Sequence, residues 1–478
     1  MIKNFKPIID NSVLLLVAAI VGLIVSSVAQ IFMIVAKDIF AFIFKNKDFV
    51  LTIEIGDISL NLIPLLICVP SSILVAMLMY YLKLPRWFGP ADTIFAAHNR
   101  SGTLDLKGGF GSTLASFISI SGGASVGVYG PLVHFGATVS AYIRRLSFIP
   151  KIPHDIIIGC GVAAAISAGF GAPLAGIIFA HETVLRHFSM KAITALAISS
   201  MVANFAASEI NLINPSLILT EVPFKISDIL ANLTLVGPLA AIVAIIFMRT
   251  ILYLSTIPKK IHLKYWQAPI IAGLCCGLAG TIFSEILGIG TDTLMLIITS
   301  EQNISYLIAL LIGKLLLTSI CIGFGFFGGT YSPALFLGAI VGALVFQLPI
   351  NNLSPEFISI LAVCGMAAVS SSVIGAPVTS IILVLELTGS YEYAIAATFP
   401  IVICSFITSR VFGNSLFDKQ LISRGVAIGR GREQIILNEV LIKEYIDKEF
   451  TKFNENTSID QAITQLKKDR NTEGYIVS

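Results

Sequence analysis

The sequence predicts an all-α, polytopic membrane protein made of two homologous halves, and three observations support this. Its 478 residues are 56% hydrophobic and only 12% charged, with a mean hydropathy of +0.89, which is too apolar for a soluble chain of this length. Uncharged runs such as residues 11–36 and 58–82 can each cross a hydrocarbon core of about 30 Å as a helix. In addition, two sequence motifs of the first half recur in the second half.

The repeats are recognisable by eye. The first motif reads GVYGPLVHFGA at residues 127–137 and GTYSPALFLGA at residues 329–339. The second occupies residues 160–182 and, without gaps, residues 364–386, and both copies contain Gly-Ala-Pro and end in glutamate. Weak internal symmetry of this kind, with glycine- and proline-interrupted helices, is typical of repeat-built transporters.

Each copy of these motifs places small residues before a proline and an apolar stretch, which predicts a helix that begins inside the membrane. The four prolines are Pro131, Pro173, Pro333 and Pro377. Proline suits the first helical turn because its missing N–H would have no partner there. Such helix starts present unpaired N–H groups and the positive end of the helix dipole, which together can bind an anion. The alternative is that the glycines only allow helices to pack closely.

Residues 315–355 carry no charge, but glycines, Pro333 and Pro349 interrupt them. We therefore expect several short or broken helices rather than one long span. Broken backbone at membrane depth is tolerated where it is buried in protein or lines a watery cavity. The interruptions are therefore where the functional site is expected.

The charged residues predict the topology, because basic residues favour cytoplasmic turns. The basic residues expected in cytoplasmic turns are Lys3, Lys6, Arg144, Arg145, Lys259, Lys260 and Lys264. The acidic residues expected in external loops are Asp48, Glu54, Asp57, Glu209 and Glu221. Both termini are then cytoplasmic.

The sequence does not favour an enzyme, because no nucleotide loop, metal cluster or catalytic triad pattern stands out. No metal, cofactor or nucleic-acid partner is predicted. The histidines, which show no ligand spacing, are His98, His134, His154, His181, His187 and His262. The seven cysteines lie in apolar segments and are interpreted as small buried hydrophobic residues.

The motifs resemble those of a known family. Residues 122–137, GGASVGVYGPLVHFGA, resemble the Gly-Arg-Glu-Gly-Pro element of the CLC family of chloride channels and chloride/proton antiporters. Residues 328–339, GGTYSPALFLGA, resemble its Gly-x-Phe-x-Pro element, and residues 169–182 are similar to the stretch that leads to its internal glutamate. The resemblance covers about residues 11–425. It implies two inverted repeats of short, tilted and interrupted helices, and a homodimer in which each subunit has its own anion pathway.

The resemblance also implies a domain plan and a location in the bacterial inner (plasma) membrane, in contact with lipid. The plan is a first membrane repeat at 1–212, an external linker at 213–225, a second membrane repeat at 226–425, a cytoplasmic linker at 426–446, and a partial CBS domain at 447–478. Residues 450–478 resemble only the opening of a CBS domain, which suggests that the natural chain continues. A nucleotide would require a complete CBS pair, which this sequence does not contain.

The anion pathway implied by the resemblance is lined by backbone from two segments. The first segment contains Val128, Tyr129 and Gly130, and the second contains Gly329, Thr330 and Tyr331. Chloride or a related anion is the expected transported ligand, and no cofactor is implied.

At four positions this sequence departs from the family pattern. Tyr129 stands where the family has its gating glutamate, and Thr183, next to Glu182, stands at the inner proton-handling glutamate. Phe88, followed by Gly89, takes the place of a serine that binds the central anion, and Phe417 takes the place of a pathway tyrosine.

These departures predict passive transport. A phenol with a reference pKa of about 10 stays neutral at ordinary pH, so Tyr129 can neither compete with chloride as a charge nor carry a proton. It can still donate one hydrogen bond to a halide. We therefore predict a passive chloride (anion) channel or an uncoupled uniporter.

Two alternatives remain open. The first is a chloride/proton antiporter that uses another acid such as Glu182, although this residue is better explained as an acid that caps or pairs inside the bundle. The second is a non-conducting regulatory relative in which Tyr129 plugs the pore.

Overall fold

The computed structural model describes residues 2–44, 51–55, 58–98, 104–146, 152–210, 225–348, 353–426, 451–469 and 474–476. The chain divides into two compact units, Met1–Ile428 and Gly429–Ser478. Apart from Lys225 and Val426, the predicted linkers at 213–225 and 426–446 lie outside the described residues.

The first half of the larger unit consists of helices and one short hairpin. Its helices are α1 (Ile2–Phe44), α2 (Ile63–Leu82), α3 (Pro90–His98), α4 (Leu106–Ser121), α5 (Tyr129–Arg144), α6 (His154–Phe170), α7 (Pro173–Phe179) and α8 (Met190–Ile210). A π-helical turn, Ala180–Leu185, continues α7. Strands β1 (Thr52–Ile55) and β2 (Ile58–Asn61) pair antiparallel between α1 and α2.

The second half repeats part of this order, without a described hairpin and with additional short helices. Its helices are α9 (Ile226–Leu254), α10 (Ile257–Lys260), α11 (Ala268–Ile282), α12 (Thr291–Thr299), α13 (Ile304–Gly323), α14 (Tyr331–Phe346), α15 (Phe357–Ile374), α16 (Pro377–Thr388), α17 (Tyr391–Val411) and α18 (Leu416–Ile422), with a short 3₁₀ turn at Ser284–Ile286. Helices α5, α6 and α7 correspond to α14, α15 and α16 through the repeated motifs. Their packing also corresponds, because α1 contacts α6 and α8 while α9 contacts α15 and α17.

The chain is an integral membrane protein. Among the described residues, seven helical segments are long and apolar enough to cross a membrane: Ser12–Phe44, Ile63–Leu82, Met190–Ile210, Ile226–Lys260, Ile304–Gly323, Phe357–Ile374 and Tyr391–Ile422. Shorter apolar helices lie between them, as the interrupted uncharged run predicted. Within that run, α13 ends at Gly323 and α14 begins eight residues later, at Tyr331.

The repeated Gly-Ala-Pro sequence explains why α6 and α15 end where they do. Gly171 (φ 63°) and Gly375 (φ 73°) adopt the left-handed conformation that favours glycine and ends a helix. Two residues later, Pro173 and Pro377 are the first residues of α7 and α16. The same three residues therefore stop one helix and start the next in both halves.

The two halves are inverted repeats, and they meet at equivalent residues. Gly127 N–H donates to the carbonyl of Gly329 at 2.8 Å, and Gly329 N–H donates to the carbonyl of Gly127 at 2.6 Å. This pair is antiparallel. Antiparallel pairing of equivalent residues is the contact expected where a local two-fold axis passes between two chain segments that run in opposite directions.

The smaller unit is described in residues 451–469 and 474–476. It contains β3 (Thr451–Phe453), α19 (Ile459–Asp469) and β4 (Gly474–Ile476), and the two strands pair in parallel. This is the strand–helix–strand order expected for the opening of a CBS domain, and the assignment to that domain stays a prediction.

Candidate functional site

The beginnings of several helices meet around a small cavity of ≈ 20 Å³. Residues that begin a helix or lie in its first turn reach this cavity from α3, α5, α14, α7, α16 and α18. They are, in that order, Pro90, Tyr129 with Gly130, Tyr331, Ala175, Thr379 and Phe417. The predicted positions Tyr129, Gly130, Tyr331 and Phe417 therefore lie together, although they are distant in sequence.

The backbone at two of these helix starts is suited to an anion. In α5 the carbonyl of Val128 first accepts from Leu132 N–H, and in α14 the carbonyl of Thr330 first accepts from Ala334 N–H. The amides of Tyr129, Gly130 and Tyr331 precede these bonds, so they belong to the group of N–H donors that a helix leaves unsatisfied. Pro131 and Pro333 are the third residues of α5 and α14, where a missing N–H costs nothing.

The glycines beside these helix starts allow the two chain segments to touch. A Cβ atom on Gly130 would lie 2.9 Å from the Cα of Gly329, and one on Gly329 would lie 2.7 Å from the amide nitrogen of Gly130. Real Cβ atoms do not approach other atoms so closely. Any larger residue would force apart the two amide-bearing segments.

Tyr129 packs in an aromatic cluster rather than pointing its hydroxyl into open space. Its ring stacks on Phe170 with centroids 3.6 Å apart and planes 15° apart, and the edge of Tyr331 meets both rings at 6.0 and 5.3 Å. The Tyr129 hydroxyl donates to the carbonyl of Gly169 at 3.3 Å. In this conformation the single O–H of Tyr129 is directed at a backbone carbonyl, and its donation to a halide stays a prediction.

Tyr129 and Phe170 separate two cavities. On one side is the small cavity, and on the other is a cavity of ≈ 550 Å³, which both rings also line. The lining of the larger cavity includes buried apolar side chains such as Met33 and Leu335 and exposed charged side chains such as Lys37. An ion that crossed from one cavity to the other would have to displace or pass these two rings.

Phe88 and Gly89 lie beside the small cavity but are absent from its lining, where Pro90 takes their place. Phe88 N–H donates to the Ser112 hydroxyl at 2.8 Å, and its ring stacks on His134 at 6.1 Å. The carbonyl of Gly89 accepts hydrogen bonds from the first turn of α3, from Asp92 N–H at 2.9 Å and from Thr93 N–H at 3.2 Å. Phe88 therefore packs against α4 and α5, whereas Gly89 caps the start of α3.

Glu182 and Glu386 cap each other's helices across the two halves. The Glu182 carboxylate accepts from Val378 N–H at 3.1 Å and from Thr379 N–H and Oγ1–H at 2.8 and 2.7 Å. Glu386 accepts from Leu174 N–H and Ala175 N–H, both at 2.8 Å. The equivalent glutamates thus exchange equivalent bonds, each at the N-terminus of the other half's helix.

Thr183 follows Glu182 within the π-helical turn and is buried, 5% exposed. Its hydroxyl has no hydrogen-bond partner within the described part of the chain. A threonine cannot exchange a proton at ordinary pH, so this position adds no titratable group.

Phe170 lines both cavities but is not among the residues predicted from the sequence. The signal was present, because this aromatic residue lies between two glycines directly before a predicted helix start. Its equivalent in the second repeat is Ile374, which lines the same small cavity. The repeat alignment could therefore have marked both positions as candidates.

The lining of the small cavity limits its chemistry. Among its lining residues, polar side-chain atoms come only from Tyr129, Tyr331 and Thr379. None of these side chains is ionised at ordinary pH by its reference chemistry. An anion there would depend on hydroxyl groups and on helix-start amides.

Comparison with known proteins agrees with this arrangement. Residues 71–410 match the family described as "Voltage gated chloride channel". The H(+)/Cl(−) exchange transporter ClcA of Vibrio parahaemolyticus is 28% identical over 331 residues, which cover 66% of this chain and 69% of that protein. ClcA of Yersinia pestis is 26% identical over 340 residues, or 68% of this chain and 70% of its own length.

Two solved structures share the fold. A slow cyanobacterial Cl⁻/H⁺ antiporter aligns with a TM-score of 0.73 at 19% identity and covers 86% of this chain and 98% of its own. A CLC-type fluoride/proton antiporter aligns with a TM-score of 0.71 at 21% identity, covering 85% and 97%. With its inverted repeats and its match to the voltage-gated chloride channel family over residues 71–410, the chain belongs to the CLC family of anion transporters.

Proposed function

We propose that this protein is a passive chloride channel or an uncoupled uniporter, through which anions move without driving protons. One observation carries the proposal: the two rings that separate the cavities, Tyr129 and Phe170, include no carboxylate. By the family resemblance, Tyr129 occupies the position of the glutamate that gates the pathway and carries the proton. A phenol bonded to a backbone carbonyl can move aside for an anion, but it does not exchange a proton at ordinary pH.

The similar proteins named above are described as proton-coupled exchangers of chloride or fluoride, so the proposal separates this chain from them by residue chemistry. The antiporter alternative needs another acid, and Glu182 is the nearest candidate by sequence. Both oxygens of Glu182 already accept hydrogen bonds from α16. Its equivalent, Glu386, does the same for α7, which supports a structural role for the pair.

Reconstitution in vesicles tests the proposal. Purified protein would be placed in liposomes under a chloride gradient, and chloride efflux and proton movement would be recorded together. ClcA from Vibrio parahaemolyticus would serve as the coupled control. We expect chloride efflux without accompanying proton movement; uphill proton movement at a fixed ratio to chloride would overturn the proposal.

One observation favours a second candidate function, a non-conducting relative. The stacked rings of Tyr129 and Phe170 fill the boundary between the cavities, as a plug would. Measurable chloride efflux from the parent protein would dismiss this candidate. If the parent shows no efflux, Phe170→Ile should allow chloride efflux, because it installs the smaller residue found at the equivalent position 374. Phe179→Ile is the matched control, because it removes a ring that lines the small cavity but not the larger one.

The remaining assignments follow from family membership and are part of the proposal. We place the chain in the bacterial inner membrane, with both termini cytoplasmic, as a homodimer. Light scattering of the detergent-solubilised protein, corrected for bound detergent, tests the dimer. Protease accessibility of the C-terminal unit in right-side-out and inverted vesicles tests the orientation.

A further inference from the structure

Lys314 is a basic residue that the anion site described above does not use. It lies within the membrane-crossing helix α13, in the otherwise apolar sequence LIALLIGKLLLTS, and is fully buried at 0% exposure. Ionisable residues inside membrane-crossing segments are costly, and they commonly mark ion pathways. A buried lysine in this family of anion transporters therefore requires a physical explanation.

The contacts of Lys314 fix its ammonium group beside a loop between α11 and α12. Its Nζ donates to the carbonyls of Ile286 at 3.1 Å and Gly288 at 2.7 Å. The ring of Phe336 lies 5.2 Å from Nζ. Carbonyl oxygens and an aromatic ring are groups that hold a positive charge in an apolar interior.

This loop forms part of the wall of the ≈ 550 Å³ cavity, through Leu287, Ile289 and Gly290. A Cβ atom built on Gly290 would lie 3.4 Å from Lys314 Nζ, so the ammonium lies directly behind the cavity wall. The loop is also joined to the first repeat, because Gly288 N–H donates to the carbonyl of Gly123 at 3.1 Å. Gly123 precedes the segment that leads to Tyr129.

Lys314 forms no ion pair with a carboxylate among the described residues. Arg186, another deeply buried basic side chain, pairs with Asp418. A buried lysine without a carboxylate partner carries its positive charge at a cost, and an anion nearby would offset that cost because a low dielectric strengthens the attraction. An anion in the larger cavity would be such a charge.

The other charged residues on the cavity wall are Lys37, Glu285 and Asp292. All three are exposed, so salt screens their effect on a passing ion. Lys314 is screened much less because protein surrounds it. Its field should therefore act in the cavity even where the two exposed carboxylates oppose anion entry.

We propose that Lys314 carries a positive charge and thereby determines the charge selectivity of this pathway, because its field gives the larger cavity a positive potential that admits anions and excludes cations. This inference rests on the proposed passive function for its flux assay, but proton coupling and charge selectivity are separate measurements. Proton movement in the parent would overturn the passive function and leave the selectivity of Lys314 variants to be judged independently.

Three substitutions separate the charge of Lys314 from its hydrogen bonds. Lys314→Arg keeps the charge, Lys314→Gln keeps a donor for the loop carbonyls, and Lys314→Met keeps neither. The readouts are chloride flux and the chloride-to-potassium permeability ratio from reversal potentials in a KCl gradient. If the charge of Lys314 determines selectivity, Lys314→Arg should resemble the parent. In Lys314→Gln and Lys314→Met, both the chloride flux and the chloride-to-potassium permeability ratio should fall about tenfold, because a weakly screened charge has been removed.

If Lys314 only held the loop in place, the three variants would rank differently. Lys314→Gln would then resemble Lys314→Arg, and only Lys314→Met would lose chloride flux, together with thermal stability. Parent-like flux and permeability ratio in Lys314→Gln would overturn the proposal. Lys37→Gln is the matched control: it removes an exposed positive charge from the same cavity, and its effect should be confined to low salt.

A measurement on the parent alone keeps the proposal testable if the variants do not fold. The permeability ratio would be compared at ionic strengths of about 0.05 M and about 1 M, where the screening length falls from above 10 Å to about 3 Å. A buried charge predicts a ratio that changes less than about twofold, because protein rather than electrolyte surrounds it. Loss of the anion preference at high salt would assign it to exposed residues and overturn the role of Lys314.

Discussion

Tyr129 and Phe170 are the residues on which the proposed passive transport most depends. They stack at 3.6 Å and line both cavities, so their rings form the shared boundary. The hydroxyl of Tyr129 is bonded to the carbonyl of Gly169. By the family resemblance, this neutral ring stands in place of a glutamate whose carboxylate competes with the anion. We therefore expect the pathway to open by movement of the ring instead of by titration of a carboxylate.

Tyr129→Glu should make chloride flux depend on pH. Below the pKa of the new carboxyl the side chain is neutral and does not compete with chloride as a charge, so flux should be higher there. Above that pKa the carboxylate competes for the helix-start amides, so flux should fall as pH rises. The measurement is vesicle efflux between pH 4 and 8, taken as about the range over which a carboxyl titrates.

Tyr129→Phe is the control for that experiment, because it removes the hydroxyl and keeps the ring. Its flux, like that of the parent, should be nearly independent of pH. Equal insensitivity to pH in Tyr129→Glu and the parent would contradict the position of residue 129 in the anion path.

The two capping glutamates make a matched pair for a stability prediction. Glu182→Ala removes three hydrogen bonds from the start of α16, and Glu386→Ala removes two from the start of α7. Loss of a helix cap costs about 0.5–2 kcal/mol, so both variants should lower the thermal stability of the solubilised protein, Glu182→Ala more than Glu386→Ala. Parent-like stability of Glu182→Ala combined with altered proton movement would instead support a proton-carrying role.

At the scale of elements, the interruptions between helices build the site. Gly-Ala-Pro ends α6 and starts α7, and its repeat does the same for α15 and α16. Gly127 and Gly329 pair shortly before α5 and α14, so the starts of these two helices are held together by backbone bonds. The breaks in regular structure are thus what brings the unpaired N–H groups to one place.

Gly127→Ala should disrupt this junction. The added Cβ would lie 2.6 Å from the Ser332 hydroxyl and 3.1 Å from the carbonyl of Gly329. Because a carbonyl in the paired segment cannot move freely, we expect a cost of about 1–3 kcal/mol and reduced chloride flux. Gly159→Ala in α6 is the control, since its nearest contact would be an ordinary 3.4 Å from Leu196; equal flux and melting temperature for Gly127→Ala and this control would contradict the prediction.

At the scale of the whole molecule, the protein combines a symmetric framework with an asymmetric path. The Gly127–Gly329 and Glu182–Glu386 contacts repeat across the two halves. The stacked rings do not, because Phe170 corresponds to Ile374. Symmetry therefore organises the helix starts, while the two rings that lie between the cavities depart from it.

Deleting residues 429–478 should leave the transport unit working. Residues 1–428 form a compact unit of their own, which includes the helices that meet at both cavities. Since such a unit holds its own core, chloride efflux should stay within about twofold of the parent in the same vesicle assay. A folded, reconstituted variant without flux would show that the C-terminal unit is required for transport.

The sequence by itself determined the membrane class, the two homologous halves and the four helix starts, because hydropathy, repeated motifs and proline positions act locally along the chain. Through the family resemblance it also predicted Tyr129, Tyr331 and Phe417 as pathway residues, and all three line the small cavity. It did not indicate that Phe88 lies outside the cavity lining while Pro90 lies within it, since a difference of two residues at a helix start depends on packing.

Only the tertiary structure decided which residues from different helices meet. The stacking of Phe170 on Tyr129, the exchange of caps between Glu182 and Glu386, and the placement of Lys314 behind the larger cavity all join residues far apart in sequence. Such contacts depend on how the two halves fold against each other. No local sequence pattern predicts that arrangement. The sequence therefore indicated which chemical groups are present but not which residues they contact.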